Sequence, residues 1–136
     1  MNRYIFLIPI LISLSACYPY IEKTIPEIEV TVKDSEGKLV DLAYVVLTTT
    51  VKEGKTIKNY KTQYTKNGKA YFDVNRSFAL NMGMERKYTW SLCVSKQGYK
   101  KQYYSISDKS IFDIHLESLE DPKVNQKCQN NTLRIR

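Results

Sequence analysis

Short segments in which apolar and polar residues alternate are the feature of this sequence that most restricts its fold. Ile28, Val30 and Val32 alternate with polar residues, and a period of two places successive side chains on opposite faces of a strand. Turn-forming residues separate such segments at short spacing, which is typical of an all-β sandwich. We predict one sandwich domain at residues 27–117, with strands at residues 28–33, 43–51, 57–65, 70–74, 88–95, 101–107 and 111–117.

Two segments between these strands have distinct patterns. Asn67-Gly68 is the dipeptide most typical of a two-residue hairpin turn, because both positions of that turn need positive φ. Residues 75–87, NRSFALNMGMERK, break the alternation. There we predict either a short helical turn around residues 78–82 or a long connection.

The first sixteen residues have the organisation of an export signal. Arg3 precedes an apolar run at residues 4–14, which is shorter than the roughly 20 residues that a membrane-spanning helix needs. The run ends in Leu-Ser-Ala-Cys, which resembles the lipobox of bacterial lipoproteins. The resemblance implies that residues 1–16 are a signal peptide and that Cys17 carries a diacylglyceryl group and an amino-terminal fatty acyl chain. The alternative is an ordinary secretory signal that happens to contain a cysteine.

Lipidation would hold the mature chain at a membrane surface, since two or more acyl chains anchor a protein stably. We expect a short tether at residues 17–26, stiffened by Pro19 and Pro26. Tyr18 stands where lipoproteins kept at the inner membrane often carry Asp. By this resemblance we expect the outer membrane, with the domain facing the periplasm.

The chain is strongly basic, with a formal charge of +7, and removal of Arg3 with the signal peptide leaves +6. Lysines recur beside tyrosines, as in KNYKTQYTKNGKAYF and GYKKQYY, a combination that suggests nucleic acid in a cytosolic protein. Export argues against nucleic acid and favours envelope anions such as lipid phosphates, glycans or acidic protein surfaces. The alternative is that the lysines only solvate strand faces and protect sheet edges.

The remaining cysteines, Cys93 and Cys128, form an even pair in an exported domain, which predicts a disulfide. Two free thiols are the alternative. Alternation in YTWSLCVS places Cys93 on the outward face of its strand. We therefore predict a C-terminal tail, residues 118–136, that is pinned to the sandwich, with residues 118–130 crossing the outer surface of a sheet.

The order of the predicted elements resembles the transthyretin-like (prealbumin-like) modules related to carboxypeptidase regulatory domains. The segments that carry the resemblance are VTVKDSEGKLVDLAYVVLTTT, KNGKAYFDV and YTWSLCVSKQGYKKQYYSI. It implies a seven-stranded Greek-key sandwich. The chain departs from the pattern at Val40 and Asp41, where many members place Pro, in residues 75–87, and in the cysteine-bearing tail. An immunoglobulin-like sandwich is the structural alternative.

No motif for catalysis or cofactor binding is apparent in the sequence. The single histidine, His115, lies on the same strand face as Asp113, but no nucleophile is placed by a recognisable motif to use it. One histidine and two cysteines expected to be bridged do not make a zinc site, and the acidic residues lack calcium-loop spacing. We predict no catalytic residue, no metal site and no cofactor.

A binding surface is the remaining function, because clustered tyrosines and lysines stack on sugars or anchor protein interfaces. We expect Tyr60 and Tyr64 to be solvent-facing, and we predict a site formed by Tyr99, Lys100, Lys101, Tyr103 and Tyr104. The alternative is that these tyrosines pack the outer edges of the sandwich. The predicted function is an interaction module for another envelope protein. A periplasmic immunity protein against a delivered toxin and a module that binds envelope glycan or anionic lipid are the alternatives.

Overall fold

The computed structural model describes residues 19–80, 86–107 and 109–129. Cys17, the predicted signal peptide and the end of the tail lie outside these residues. The described chain is all-β and contains nine strands: β1 Pro19–Ile25, β2 Ile28–Lys33, β3 Tyr44–Glu53, β4 Lys55–Tyr64, β5 Lys69–Phe72, β6 Asn75–Leu80, β7 Lys87–Ser95, β8 Gln102–Ile106 and β9 Ile111–His115. None of the described residues form a helix able to cross a membrane.

Two sheets pack face to face in a sandwich-like arrangement. The larger has the order β4-β3-β7-β8 and is antiparallel throughout. The smaller has the order β5-β2-β9, in which β2 pairs antiparallel with β5 and parallel with β9. A separate two-stranded ribbon joins β1 to β6.

The core between the two sheets comes from the inward-facing residues of each alternating strand. The predicted inward residues of the last strand, Phe112, Ile114 and Leu116, are all buried. The other buried members of this cluster are Ile28, Val30, Val32, Val40, Ala43, Val45, Leu47, Ala70, Phe72, Leu92, Val94 and Ile106. Aliphatic side chains with few rotamers dominate, so the core is filled at low entropic cost.

The Asn67-Gly68 turn carries the chain from one sheet to the other. Both residues have positive φ, 52° and 70°, and Lys66 and Lys69 exchange two backbone hydrogen bonds of 2.8 and 3.1 Å across them. The predicted turn is therefore present, but the strands around it separate, because β4 belongs to the larger sheet and β5 to the smaller.

The prediction of seven strands was wrong, because β1 and β6 add two. Residues 19–25, assigned from the sequence to the tether, form β1, and residues 75–80, assigned to a helical turn or a connection, form β6. The ribbon was missed because its polarity is inverted. Its buried face carries Glu22 and Ala79, whereas its exposed face carries large apolar side chains.

Candidate functional site

The C-terminal segment crosses the outer face of the larger sheet. Cys93 on β7 and Cys128 form the predicted disulfide, with a Cα–Cα distance of 5.9 Å. Both cysteines are buried with Val46 on the face of the sheet opposite the main core. Backbone hydrogen bonds hold the segment, from Leu119 N–H to the Gly98 carbonyl at 2.8 Å and from Gly98 N–H to the Val124 carbonyl at 3.1 Å.

A groove of about 470 Å³ runs between the C-terminal segment and the open end of the β3–β4 hairpin, where β3 begins and β4 ends. We call it the tyrosine groove; it is lined by Leu42, Tyr44, Tyr64, Ser95, Lys96, Gln97, Asn125, Lys127 and Cys128. The disulfide supports it, because the bond holds Cys128 against β7 beside Asn125 and Lys127, which form one wall.

Two aromatic rings form the opposite wall. Tyr44 and Tyr64 are cross-strand partners on β3 and β4, and their ring centroids lie 5.1 Å apart with the planes tilted by 43°. Such a pair is favourable beyond its buried area. Tyr64 is nonetheless 63% exposed, so its ring is available for contact with another molecule.

Lysines give the groove positive charge. Lys96 and Lys127 both line it, and none of its described lining residues is acidic. Lys96 Nζ donates a 2.8 Å hydrogen bond to the Asp41 carbonyl, which fixes the ammonium group at the rim. The groove therefore combines an aromatic wall with cations, a pairing suited to an acidic or aromatic side chain of a partner.

The loop at the mouth of the groove is held in a strained conformation. Leu42 has φ of 55°, a region that costs a branched residue about 1–3 kcal/mol, and its side chain is exposed. Thr65 holds this loop, since its hydroxyl donates to the Val40 carbonyl at 2.7 Å and accepts from Ala43 N–H at 2.9 Å. Such strain is common at binding surfaces, where packing elsewhere maintains it.

Strand β4 extends the groove along an edge of the larger sheet. Its only strand partner in the described sheets is β3, and all of its ten residues except Tyr60 are exposed. Lys55, Lys58 and Lys61 lie along it. A long exposed edge is a template for pairing with another strand, and lysines on it restrict which strand can pair.

The predicted site of tyrosines and lysines is divided between several surfaces. On β8, Tyr104 points into the sandwich and packs against Phe112, with ring centroids 6.1 Å apart. Tyr103 points outward and is 60% exposed, with Lys101 Nζ 5.7 Å from its ring centroid. Tyr99 packs against the core, and Lys100 forms a 3.1 Å ion pair with Glu117.

Only Lys101 and Tyr103 of the five predicted residues therefore share an exposed face. The structure instead brings together Tyr44, Tyr64, Lys96 and Lys127. Of these, only Tyr64 was expected to face solvent. Tyr44 and Lys127 were missed because their proximity depends on strand register and on the path of the tail.

A buried carboxylate joins the β1–β6 ribbon to the larger sheet. Glu22 is 8% exposed and accepts hydrogen bonds from the Tyr88 hydroxyl at 2.7 Å, from Arg86 at 3.2 Å and from the Tyr20 hydroxyl at 3.2 Å. Arg86 also forms a 2.6 Å ion pair with Glu53. These contacts link Glu22 on β1 to Arg86 and to Tyr88 on β7, so the cluster fastens the ribbon to the larger sheet.

The pKa values follow this arrangement. Burial by itself would raise the pKa of Glu22, but donation by Tyr88, Arg86 and Tyr20 outweighs it, and the pKa lies below its ordinary value. Burial and then the hydrogen bond to Glu22 raise the pKa of Tyr88 to about 12. Glu22 is therefore ionised at neutral pH and Tyr88 is protonated.

His115 and Asp113 are both on β9, where the sequence places them on one strand face. Asp113 accepts a 2.7 Å hydrogen bond from Lys33 Nζ, which holds the pKa of that carboxyl below its usual range. The side chains of Asp113 and His115 are both exposed on β9. Within the described ranges no three histidine, cysteine or acidic side chains are grouped so as to hold a metal ion.

Comparison with known proteins adds no further constraint. No family model, curated protein or solved structure matches the chain.

Proposed function

We propose that this protein is an exported lipoprotein whose β-sandwich is a non-enzymatic interaction module for another envelope protein. The Leu-Ser-Ala-Cys motif supports lipidation at Cys17 and removal of residues 1–16. Tyr18 supports placement at the outer membrane with the domain facing the periplasm. The order of the sequence elements supports a transthyretin-like sandwich.

The tyrosine groove is the observation that carries the interaction role. It lies at the end of the exposed edge strand β4, so one extended segment of a partner can pair along β4 and place a side chain between Tyr64 and Lys127. Pairing with the edge would supply backbone hydrogen bonds, and the groove would supply selectivity for an acidic or aromatic residue. The mature charge of +6 adds attraction for an acidic partner.

Tethering strengthens such a contact. A lipid on Cys17 confines the module to the membrane surface, where a partner anchored to the same membrane is present at high effective concentration. A contact that is weak in free solution is then sufficient. The proposed partner is accordingly a membrane-associated envelope protein with an extended acidic segment.

Affinity capture of the lipidated protein from detergent-solubilised envelope, read by mass spectrometry, tests this proposal. We expect one stoichiometric protein partner, reduced about tenfold by Tyr64→Ser, since a central aromatic anchor carries much of an interface's energy. Tyr103→Ser is the matched control, because Tyr103 is similarly exposed on the same sheet but lies on the opposite edge. Cys17→Ser tests the contribution of the tether.

Two other outcomes would replace the proposal. Capture of envelope glycan or lipid without a protein, abolished by Tyr103→Ser, would favour the glycan- or lipid-binding module, for which the Lys101–Tyr103 pair is the supporting contact. Capture of a toxin whose activity is inhibited would identify the immunity function. A protein partner that is unaffected by Tyr64→Ser would show that the groove is not the interface.

A further inference from the structure

The β1–β6 ribbon has an exposed apolar face that the interaction role does not use. Ile21 and Phe78 are cross-strand partners, as are Pro19 and Leu80, so these four side chains share one face. Ile21 is 67%, Phe78 70% and Leu80 56% exposed. We call this surface the apolar ribbon face.

Within the described part of the chain, the side chains of this apolar face remain largely exposed and do not belong to the core. The opposite face of the ribbon is fastened to the sandwich through Glu22 and the buried Ala79. Phe78 is the most exposed large apolar side chain among the described residues. Clustered exposed apolar residues mark a surface that contacts another protein or a membrane.

The closeness of the ribbon to Cys17 in the sequence favours a membrane over a protein as the occupant of the apolar ribbon face. Pro19 is two residues after Cys17, and two residues span at most about 7 Å. A lipid on Cys17 would therefore hold the Pro19–Leu80 end of the ribbon at the headgroup level. A protein bound to this face would have to fit between the ribbon and the membrane surface.

Charge at the other end of the face supports the same occupant. Lys23 and Arg76 are the next cross-strand pair on the same face of the ribbon, and both are exposed. They lie four residues beyond Pro19, or about 13 Å along a strand. If the ribbon lies flat on a bilayer, its apolar side chains enter the interface and these two cations reach lipid phosphates.

We propose that the apolar ribbon face lies on the membrane that carries the lipid anchor, with an anionic bilayer surface as its ligand; this rests on the proposed lipidation of Cys17. Docking of the ribbon fixes the orientation of the sandwich. The exposed edge of β4 is then presented in a constant direction, whereas a domain on a free tether would rotate.

Depth-dependent fluorescence quenching tests the contact. The lipidated protein carrying Phe78→Trp is reconstituted into phosphatidylglycerol vesicles that contain lipids brominated on the acyl chains, and its quenching is compared with that of the wild type, in which only Trp90 reports. Tyr103→Trp is the matched control, since Tyr103 is similarly exposed but lies on β8 of the larger sheet. We expect Phe78→Trp to be quenched well above the wild type and well above Tyr103→Trp.

Charge variants test the two cations. Lys23→Ser with Arg76→Ser is expected to reduce docking by about fivefold per residue in anionic vesicles, and much less in phosphatidylcholine vesicles. Lys55→Ser with Lys58→Ser removes the same charge from exposed positions on β4 and is expected to leave quenching unchanged.

The mass of the amino-terminal peptide separates this inference from the proposed function. A peptide without acyl groups on Cys17 would overturn the lipoprotein function and this inference with it. An acylated Cys17 with Phe78→Trp quenched no more than Tyr103→Trp would overturn the inference alone. A dimer in detergent that buries Phe78 would instead assign the face to a second copy of the chain.

Discussion

Replacement of Glu22 tests whether its carboxylate fastens the β1–β6 ribbon to the sandwich. Glu22→Gln keeps the size of the side chain but removes the charge that accepts hydrogen bonds from Tyr88, Arg86 and Tyr20. A hydrogen bond to a charged group contributes about 1.5–3 kcal/mol, and Arg86 keeps its ion pair with Glu53. We expect the free energy of unfolding to fall by about 2–4 kcal/mol.

Urea denaturation followed by circular dichroism measures this change. Glu27→Gln is the matched control, because Glu27 also accepts a hydrogen bond from a tyrosine, Tyr71, but at an exposed site. Its loss is expected to cost less than about 1 kcal/mol. Equal effects of the two substitutions would refute the view that burial makes Glu22 important.

The pH dependence provides a second readout of the same cluster. The pKa of Glu22 is lower in the folded state than its ordinary value of 4.5, so the unfolded state binds its proton more readily. The stability that this group contributes is complete above the unfolded pKa and is lost as the pH falls through the folded pKa. We expect wild-type stability to decline below about pH 4.5 more steeply than that of Glu22→Gln. Parallel curves would refute the assignment.

Three further predictions concern the disulfide, a turn and a tyrosine. Cys93→Ser with Cys128→Ser is expected to lower the free energy of unfolding by about 3–4 kcal/mol, from the entropy of closing a loop across 35 residues of separation; a change below about 1 kcal/mol in urea denaturation would contradict this. Gly68→Ala is expected to destabilise more than Gly54→Ala in thermal denaturation, because both have positive φ but only at Gly68 would the new Cβ meet a neighbour, at 2.7 Å; equal shifts in Tm would show that backbone strain alone matters. NMR titration of the tyrosine ring carbons is expected to give Tyr88 a pKa of about 12, and a value near 10 that Glu22→Gln does not change would exclude the hydrogen bond.

Alternation was sufficient to predict the sandwich strands and their inward faces. Val30 and Phe112 are buried because a period-two pattern needs no knowledge of the partner strand to assign a face. The same logic placed Cys93 outward and led to a tail that crosses the outer face of the sheet. The strand faces could be predicted because each depends only on neighbouring residues, and the path of the tail followed once Cys93 was paired with Cys128.

The ribbon and the groove could not be predicted in this way. In β1 and β6 the polar side chain Glu22 is buried and large apolar side chains are exposed, the reverse of the usual pattern. The burial of Glu22 depends on hydrogen bonds from Tyr20 on the same strand and from Arg86 and Tyr88, which are distant in sequence. Tyr44 and Tyr64 are twenty positions apart and become partners only through the β3–β4 register. The predicted surface around Tyr103 and Tyr104 divided because adjacent residues on a strand face opposite ways.

The sequence by itself was sufficient to predict an all-β domain, the composition of its core and the pairing of its cysteines. It is also the basis for proposing a lipid anchor at Cys17. The strands, the core and the lipid anchor depend on local patterns of residue types, and the cysteine pairing depends on the number of cysteines together with the expected export. The tertiary structure decided where the tyrosine groove and the apolar ribbon face lie. Both consist of side chains from separate segments, which strand register, the Glu22 hydrogen bonds and the Cys93–Cys128 bond bring together.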